Sequence, residues 1–378
     1  MKQYVKDLKQ YDTPTARIQG LKKLVAAGLR TPWPIKVITK EGFVDYKKEG
    51  RFPELLKQQI IKAFTEIRRQ NPHRGVYAGR AYYVPGVENP PGPRSSSVRS
   101  QEIILKEVEK LYDFAIESKY DQKENAEIGV IFYPFINPGD PFPDPKIPDL
   151  QYPGGCVTSG ERNTAIIEAV YGADEGVQSF PHDTFVVDLK KAGIISRDIA
   201  HKTKSLRATD ELTYETVTVL PEFRDRVTLE DKTLLSLAQD FQKLTKRFGP
   251  HRVEYVLQPE GVIFRECVPF KMEKQEEITA QGVVDVVSCS KDIARLGKNT
   301  KIVFVDPVVI RERNMDLLTE VAFETPCKLV VLFPGSATTA HAATLLRERD
   351  HKVVYVGQET FTQGEKVSIR AGRVIRTP

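Results

Sequence analysis

The residues best suited to chemistry lie in the run Phe333-Pro334-Gly335-Ser336-Ala337-Thr338-Thr339-Ala340-His341. An apolar stretch at 328–332 precedes it as an expected buried strand, and 342–349 follows as an expected helix. A Gly/Ser/Thr loop that ends on a histidine in the first helical turn suits phosphate chemistry. Loop amides and the positive end of the helix dipole both face an anion held there. The same field disfavours imidazolium, so His341 is expected to stay neutral and nucleophilic near pH 7. A single histidine can equally cap or pack a helix start, so its role depends on what else the chain holds.

Two acids are the next candidates. Glu254 and Glu266 sit twelve positions apart on two expected antiparallel strands, 252–257 and 262–268, joined by the turn Gln258-Pro259-Glu260-Gly261. Carboxylates held side by side repel each other unless a cation bridges them. Two acids plus polyphosphate oxygens are what Mg2+ prefers. The alternative is an edge strand whose acids face solvent and pair with Arg252 and Arg265. Arg80, beside Gly79 in an expected strand at 76–84, carries a guanidinium suited to gripping phosphate, or a structural ion pair. Tyr133 and Phe135, in the aromatic run 132–135, could line an adenine slot or simply fill a core. Glu168 and Glu175 flank a glycine turn and could meet a ribose or a metal.

The elements that must position these groups alternate through the chain. Helices are expected at 12–29, where Asp12-Thr13-Pro14 marks the start, at 52–70 behind Pro53, at 100–118 and at 229–247. Strands are expected at 128–135, 155–158, 165–170 and 183–188, with a charged connector between the last of these and the helix at 229. The charged segment 271–281 is the expected linker. Beyond residue 298 strands and helices alternate again, closing on a hairpin at 364–375.

At 378 residues the chain exceeds a single core. Its 56 basic and 51 acidic residues, net +5, are interspersed and form no dense Lys/Arg block, so nucleic-acid binding is unsupported. Apolar runs are strand-sized, and no membrane span is expected. The charged N-terminus carries no apolar signal core, which leaves the cytoplasm as the expected location. Four scattered cysteines without a Cys-x-x-Cys pair argue for buried free thiols rather than disulfides or zinc.

Taken together, these pieces resemble the group of phosphoenolpyruvate synthase, pyruvate phosphate dikinase and rifampicin phosphotransferase. Thr339-Ala340-His341-Ala342-Ala343, followed by Arg347-Glu348 and Val353-Val354-Tyr355-Val356-Gly357, is similar to the group's phosphohistidine signature. Residues 24–39 are similar to its opening segment. Tyr171-Gly172-Ala173-Asp174-Glu175-Gly176-Val177 resembles its "GlGE" turn, and Pro181-His182-Asp183 its "PD". Glu254 and Glu266 match its two metal-ligand positions, and Arg80 its phosphate-binding arginine.

The resemblance implies an α+β / α/β chain: an ATP-grasp nucleotide domain (1–270), a linker (271–300) and a small swivelling β/β/α phosphohistidine domain (301–378). It implies ATP and Mg2+ as cofactors, with Glu254 and Glu266 on the metal and nucleotide and Arg80 clamping phosphates. Tyr133, Phe135 and Glu175 would contact the nucleotide. His341 would take the β-phosphoryl group, Thr339 would hold it, and AMP and phosphate would leave. The chain departs from the group in places. Ala81-Tyr82 follow Arg80 where Ser-Ser is usual, Val268 stands where an arginine is usual, and Ser336-Ala337 replace Gly-Gly. The phosphate-binding lysine falls on Gly20, leaving Lys22 or Arg17 to stand in. No phosphoenolpyruvate-binding barrel follows, so the expected acceptor is a small molecule or a separate barrel subunit. The competing expectations are a non-catalytic ATP-binding or regulatory subunit, and an ATP-grasp ligase that needs no phosphohistidine.

Overall fold

A computed structural model describes the chain except residues 1, 88, 89, 91, 94, 96, 137–152, 161, 162, 179, 209–213, 260, 271–277, 298, 308, 310–316, 318, 319, 323, 324, 326, 327, 334–345, 347, 348, 357, 358, 371, 372 and 378. The expectations placed on His341 and Thr339 fall outside the described residues.

The first third builds a four-stranded antiparallel sheet. Its elements are β1 (Val5–Asp7), α1 (Ala16–Ala26), β2 (Lys36–Ile38), α2 (Lys40–Glu49), α3 (Glu54–Gln70), β3 (Val76–Tyr83), α4 (Gln101–Glu117) and β4 (Glu127–Pro134), with strand order β1-β2-β4-β3. Helix α3 starts behind Pro53, which lacks an N–H to leave unpaired. The Ser100 hydroxyl caps α4 by accepting from the Ile103 N–H at 3.2 Å. The sheet separates two cores. Val76, Ala78 and Tyr82 of β3 pack with Phe43, Ile60, Phe64 and Tyr112 of α2–α4, while Tyr77 and Ala81 face α1. This is the period-two alternation of a strand.

The second sheet follows with β5 (Pro153–Ser159), β6 (Thr164–Tyr171), β7 (Asp183–Asp188), β8 (Gly193–Asp198), β9 (Lys204–Ala208), β10 (Tyr214–Thr218), α5 (Asp231–Phe248), β11 (His251–Gln258) and β12 (Gly261–Pro269). Six of its strands run in the order β12-β11-β5-β6-β7-β8, all antiparallel, and β9 and β10 form a hairpin. The charged connector expected after β7 therefore holds three strands. Their sequence concealed them because β8 is largely exposed and alternates no apolar face. One core joins the two sheets: Tyr77, Ile131 and Tyr133 pack with Ile18, Leu21 and Leu24 of α1, Phe241 of α5, and Val157, Ile167, Phe185 and Tyr255 of the second sheet.

The C-terminal unit is β13 (Ala280–Val287), α6 (Ser290–Ile293), β14 (Ile302–Val305), β15 (Val330–Phe333), β16 (Lys352–Tyr355), β17 (Lys366–Arg370) and β18 (Arg373–Arg376). Strand β13 serves two ladders. Its residues 280–283 pair antiparallel with β17, and residues 284–287 pair parallel with β14. Separate cores lie on the two faces, one with Leu317, Val321 and Leu346 and the other with Val367 and Ile369 of β17. This layering fits a β/β/α arrangement. It also revises the expected linker. Residues 280–293 of the 271–300 segment supply the shared strand and α6, because their apolar side chains Val284, Val287 and Ile293 belong to this unit's cores.

Cys156 and Cys267 are free and buried, and Cys289 is free and exposed. Among the described residues no helix is long and apolar enough to cross a membrane.

Candidate nucleotide-binding site

Side chains directly opposite each other on paired strands point to the same face. One row of such partners crosses the second sheet: Glu266 on β12, Glu254 on β11, Cys156 on β5, Glu168 on β6 and Thr184 on β7. The intervening residues Val157, Ile167, Phe185, Val253 and Tyr255 turn to the core, so alternation aims the polar row away from it. The hairpin carries a β-bulge here. Glu254 pairs with Glu266 but Tyr255 pairs with Phe264, which leaves Arg265 as the extra residue. A bulge re-aims side chains. Arg265 reaches Asp174, Glu175 (3.3 Å) and the Ile136 carbonyl (3.3 Å) rather than pairing with Glu266.

Four carboxylates and three guanidiniums thus converge. Arg17 of α1 donates from Nη2 to Glu266 Oε2 at 2.7 Å and from Nη1 to the Tyr77 hydroxyl at 2.6 Å. Tyr77 stacks on Tyr133, ring centroids 4.6 Å apart. Arg252 Nη1 lies 3.7 Å from Glu254 Oε1. Tyr214 of the β9–β10 hairpin donates to Glu175 Oε1 at 2.9 Å. Burial pushes the Glu254 carboxyl up, the neighbouring Glu266 charge pushes it further, and Arg252 opposes both. Burial likewise drives Asp174 well above the usual carboxylate range against the pull of Arg265, with Glu175 and Glu254 adding to the rise. Burial works against the charge on Arg17, yet Glu266 more than offsets it and the guanidinium is held protonated.

The expected acid pair, Glu254 and Glu266, is therefore brought together, with Glu175 close by through Arg265. The other candidates go elsewhere. Arg80 shares a face of β3 with Ala78 and Tyr82, opposite to Tyr77 and Arg17, and its Nε donates to the Pro90 carbonyl at 2.6 Å. Strand alternation accounts for this: an arginine three residues from Tyr77 cannot share its face. Lys22 lies midway along α1 on its partly exposed side, 3.5 Å from Asp12. Tyr133 and Phe135 are buried core residues, with Tyr133 forming the floor beneath Arg17 through Tyr77. Glu168 is fully buried, held by His182 and Cys156 at 3.1 Å each. Sequence reasoning undervalued Arg17 and missed Asp174 and Arg265 as site members. The available signals were a charged pair inside an apolar strand and an arginine one turn before Gly20.

Gly20 explains the missing lysine. A Cβ there would lie 1.9 Å from the Cys267 carbonyl oxygen, so α1 docks on β12 with no side chain between them. Arg17, one turn earlier, is the cation that α1 brings to Glu266. Val268, the other departure, is the direct cross-strand partner of Arg252, so a guanidinium stands on the neighbouring strand. Among the described residues no three His, Cys, Asp or Glu side chains form a ready-made metal cage. Magnesium needs no such cage: it is commonly held by one or two carboxylates plus phosphates and water. The mutual repulsion of Glu254 and Glu266 is what a cation would relieve, so the donor set fits.

Residues 155–282, about a third of the chain, match the family described as "Pyruvate phosphate dikinase, AMP/ATP-binding domain". The segment contains Asp174, Glu175, Glu254, Arg265 and Glu266. The match supports the resemblance to the phosphoenolpyruvate synthase and pyruvate phosphate dikinase group, the ATP-grasp type of fold, ATP as ligand and an ATP-using transferase or ligase class. No curated protein gives a significant match. Among solved structures, the crystal structure of PH1788 from Pyrococcus horikoshii Ot3 is 15% identical, with 70% of this chain and 95% of that one covered and a TM-score of 0.35. D-Alanine-D-Alanine Ligase from Helicobacter pylori is 8% identical, with 68% of this chain and 54% of the ligase covered and a TM-score of 0.31. At these TM-scores neither likeness carries an argument.

Proposed function

We propose that the protein is an ATP-dependent phosphotransferase that phosphorylates its own His341 and passes the phosphoryl group to an acceptor. The observation that carries this reading is the cross-strand pair Glu254/Glu266 inside the matched ATP-binding segment, with Arg17 2.7 Å from Glu266. Glu254 and Glu266 would hold Mg2+, which when bound neutralises charge on the nucleotide phosphates. Arg17 and Arg252 would orient those phosphates from the two flanks of the pair, with Arg265 fixing Glu175 and Asp174 beside them. Arg80 would hold the Pro90 and Gly92 carbonyls rather than touch the nucleotide. Neutral His341 would attack phosphorus, forming the N–P bond as the P–O bond to the leaving group breaks, and Thr339 would hold the transferred group. The C-terminal unit would carry it to a small molecule or a separate barrel subunit.

Calorimetric titration with ATP, with and without Mg2+, followed by product identification tests the reading. Mg2+-dependent binding and AMP formation are expected, both lost in Glu254→Gln. Binding without turnover would move the assignment to a non-catalytic ATP-binding subunit. No binding would overturn it.

A further inference from the structure

The first sheet meets the site at Tyr77, and Gly79, two residues further along the same face of β3, shapes that meeting. A Cβ on Gly79 would lie 2.3 Å from Tyr77 Cε1 and 2.6 Å from the Tyr77 hydroxyl oxygen. The Tyr77 ring therefore leans along the strand, and its hydroxyl occupies the space that any other side chain at position 79 would fill. Backbone conformation does not call for a glycine here, because Gly79 is not one of the glycines with positive φ. Its use is the room it leaves for the ring.

The ring is also held from its flank and at its tip. Tyr133, the direct partner of Tyr77 on β4, stacks on it with the ring centroids 4.6 Å and the planes 18° apart. At the tip, Arg17 Nη1 donates to the hydroxyl at 2.6 Å while Arg17 Nη2 donates to Glu266 Oε2 at 2.7 Å. The central carbon of the guanidinium lies 5.9 Å from the Tyr77 ring centroid. A planar guanidinium bonded through both Nη atoms is fixed in orientation as well as in place. Without the hydroxyl, the contact to Glu266 becomes a pivot about which the guanidinium can turn.

We propose that Tyr77 is a positioning residue, seated over Gly79, that sets the plane of the Arg17 guanidinium for a nucleotide phosphate. This inference rests on the nucleotide site proposed above. Tyr77 acts through Arg17, to which its hydroxyl is bonded, and Gly79 acts through Tyr77 by leaving the hydroxyl its place.

The test is a double-mutant cycle, read by calorimetric titration of the full chain with ATP at saturating Mg2+. Tyr77→Phe keeps the ring and its stack on Tyr133, and it should weaken ATP binding about tenfold, the scale of one hydrogen bond to a charged group. Gly79→Ala puts a methyl where the hydroxyl sits and should weaken binding by a similar factor. In an Arg17→Met background each change should shift affinity by less than about twofold, because the group it positions is gone. A merely structural role for Tyr77 would lower affinity by the same factor in both backgrounds. Tyr77→Phe protein that binds ATP as wild type does, or an equal loss with and without Arg17, overturns the proposal. Gly79→Ala protein that binds as wild type overturns the seat over Gly79; if that variant does not fold, the Tyr77→Phe cycle decides alone. Wild-type protein that fails to bind ATP refutes the nucleotide site, and Arg17→Met protein that binds as tightly as wild type refutes the place of Arg17 in it. Both results are distinct from a failure of the cycle.

Discussion

Gly20 of α1 and Cys267 of β12 touch backbone to backbone: a Cβ on Gly20 would fall 1.9 Å from the Cys267 carbonyl oxygen. That contact sets α1 against the strand carrying Glu266 and brings Arg17 within reach of it. Gly20→Ala gains about 1 kcal/mol of helix propensity but must push two packed backbones apart. The clash should win by about 1–3 kcal/mol, read as a lower urea midpoint at unchanged slope. An alanine variant as stable as wild type would show that the approach is not tight. Gly20→Lys is not expected to restore a phosphate-binding lysine, because the side chain has no space to enter.

Arg17 is the expected phosphate cation. Arg17→Met removes a hydrogen-bonded charge worth about 1.5–3 kcal/mol, so ATP affinity should fall roughly 10- to 100-fold. Arg17→Lys should retain part of it, lacking the second donor that now meets Tyr77. Calorimetry decides, and an Arg17→Met protein that binds ATP as tightly as wild type removes Arg17 from the site.

The acid pair gives a pH signature. The folded Glu254 carboxyl is raised from its ordinary 4.5, by burial first and Glu266 second. Between the ordinary and the raised value the folded state holds more protons than the unfolded one, so stability falls as pH rises through that window. Glu254→Gln cannot ionise. In metal-free buffer its stability relative to wild type should therefore grow as pH climbs from 4.5 toward neutrality. Chemical unfolding at several pH values measures this, and a difference that is flat with pH contradicts the repulsion.

Away from the site, Lys202 and Asp183 form a fully buried ion pair at 2.6 Å, and Asp183 also accepts from the Thr228 amide at 2.7 Å. Removing one partner leaves an uncompensated buried charge. Lys202→Met should cost about 3–5 kcal/mol in urea unfolding, and a loss under about 1 kcal/mol would mean the charge finds water.

Much of this was legible in the sequence because it followed periodicity. Helices α3, α4 and α5 and the β11–β12 hairpin are amphipathic or alternating and lie close to where pattern placed them. Four things were hidden for physical reasons. The bulge at Arg265 breaks the period-two rule, so a residue that alternation assigns to the other face joins the site. Arg80 obeys that rule and is thereby carried away from Arg17 and Glu266. Strand β13 was obscured by the charged run before it, although Val284 and Val287 mark it as core. Burial of Glu168 against His182 depends on strands meeting across the sheet, which no local pattern encodes.

The central claim is the phosphohistidine, and protein-bound phosphate tests it most directly. The protein is incubated with Mg2+ and ATP labelled at the β or the γ phosphate, and denatured protein is assayed for acid-labile, alkali-stable label. The account predicts such label in the wild type, from the β position if the resemblance extends to the leaving group, and none in His341→Ala. Unlabelled wild-type protein, or label that persists in His341→Ala, would contradict it.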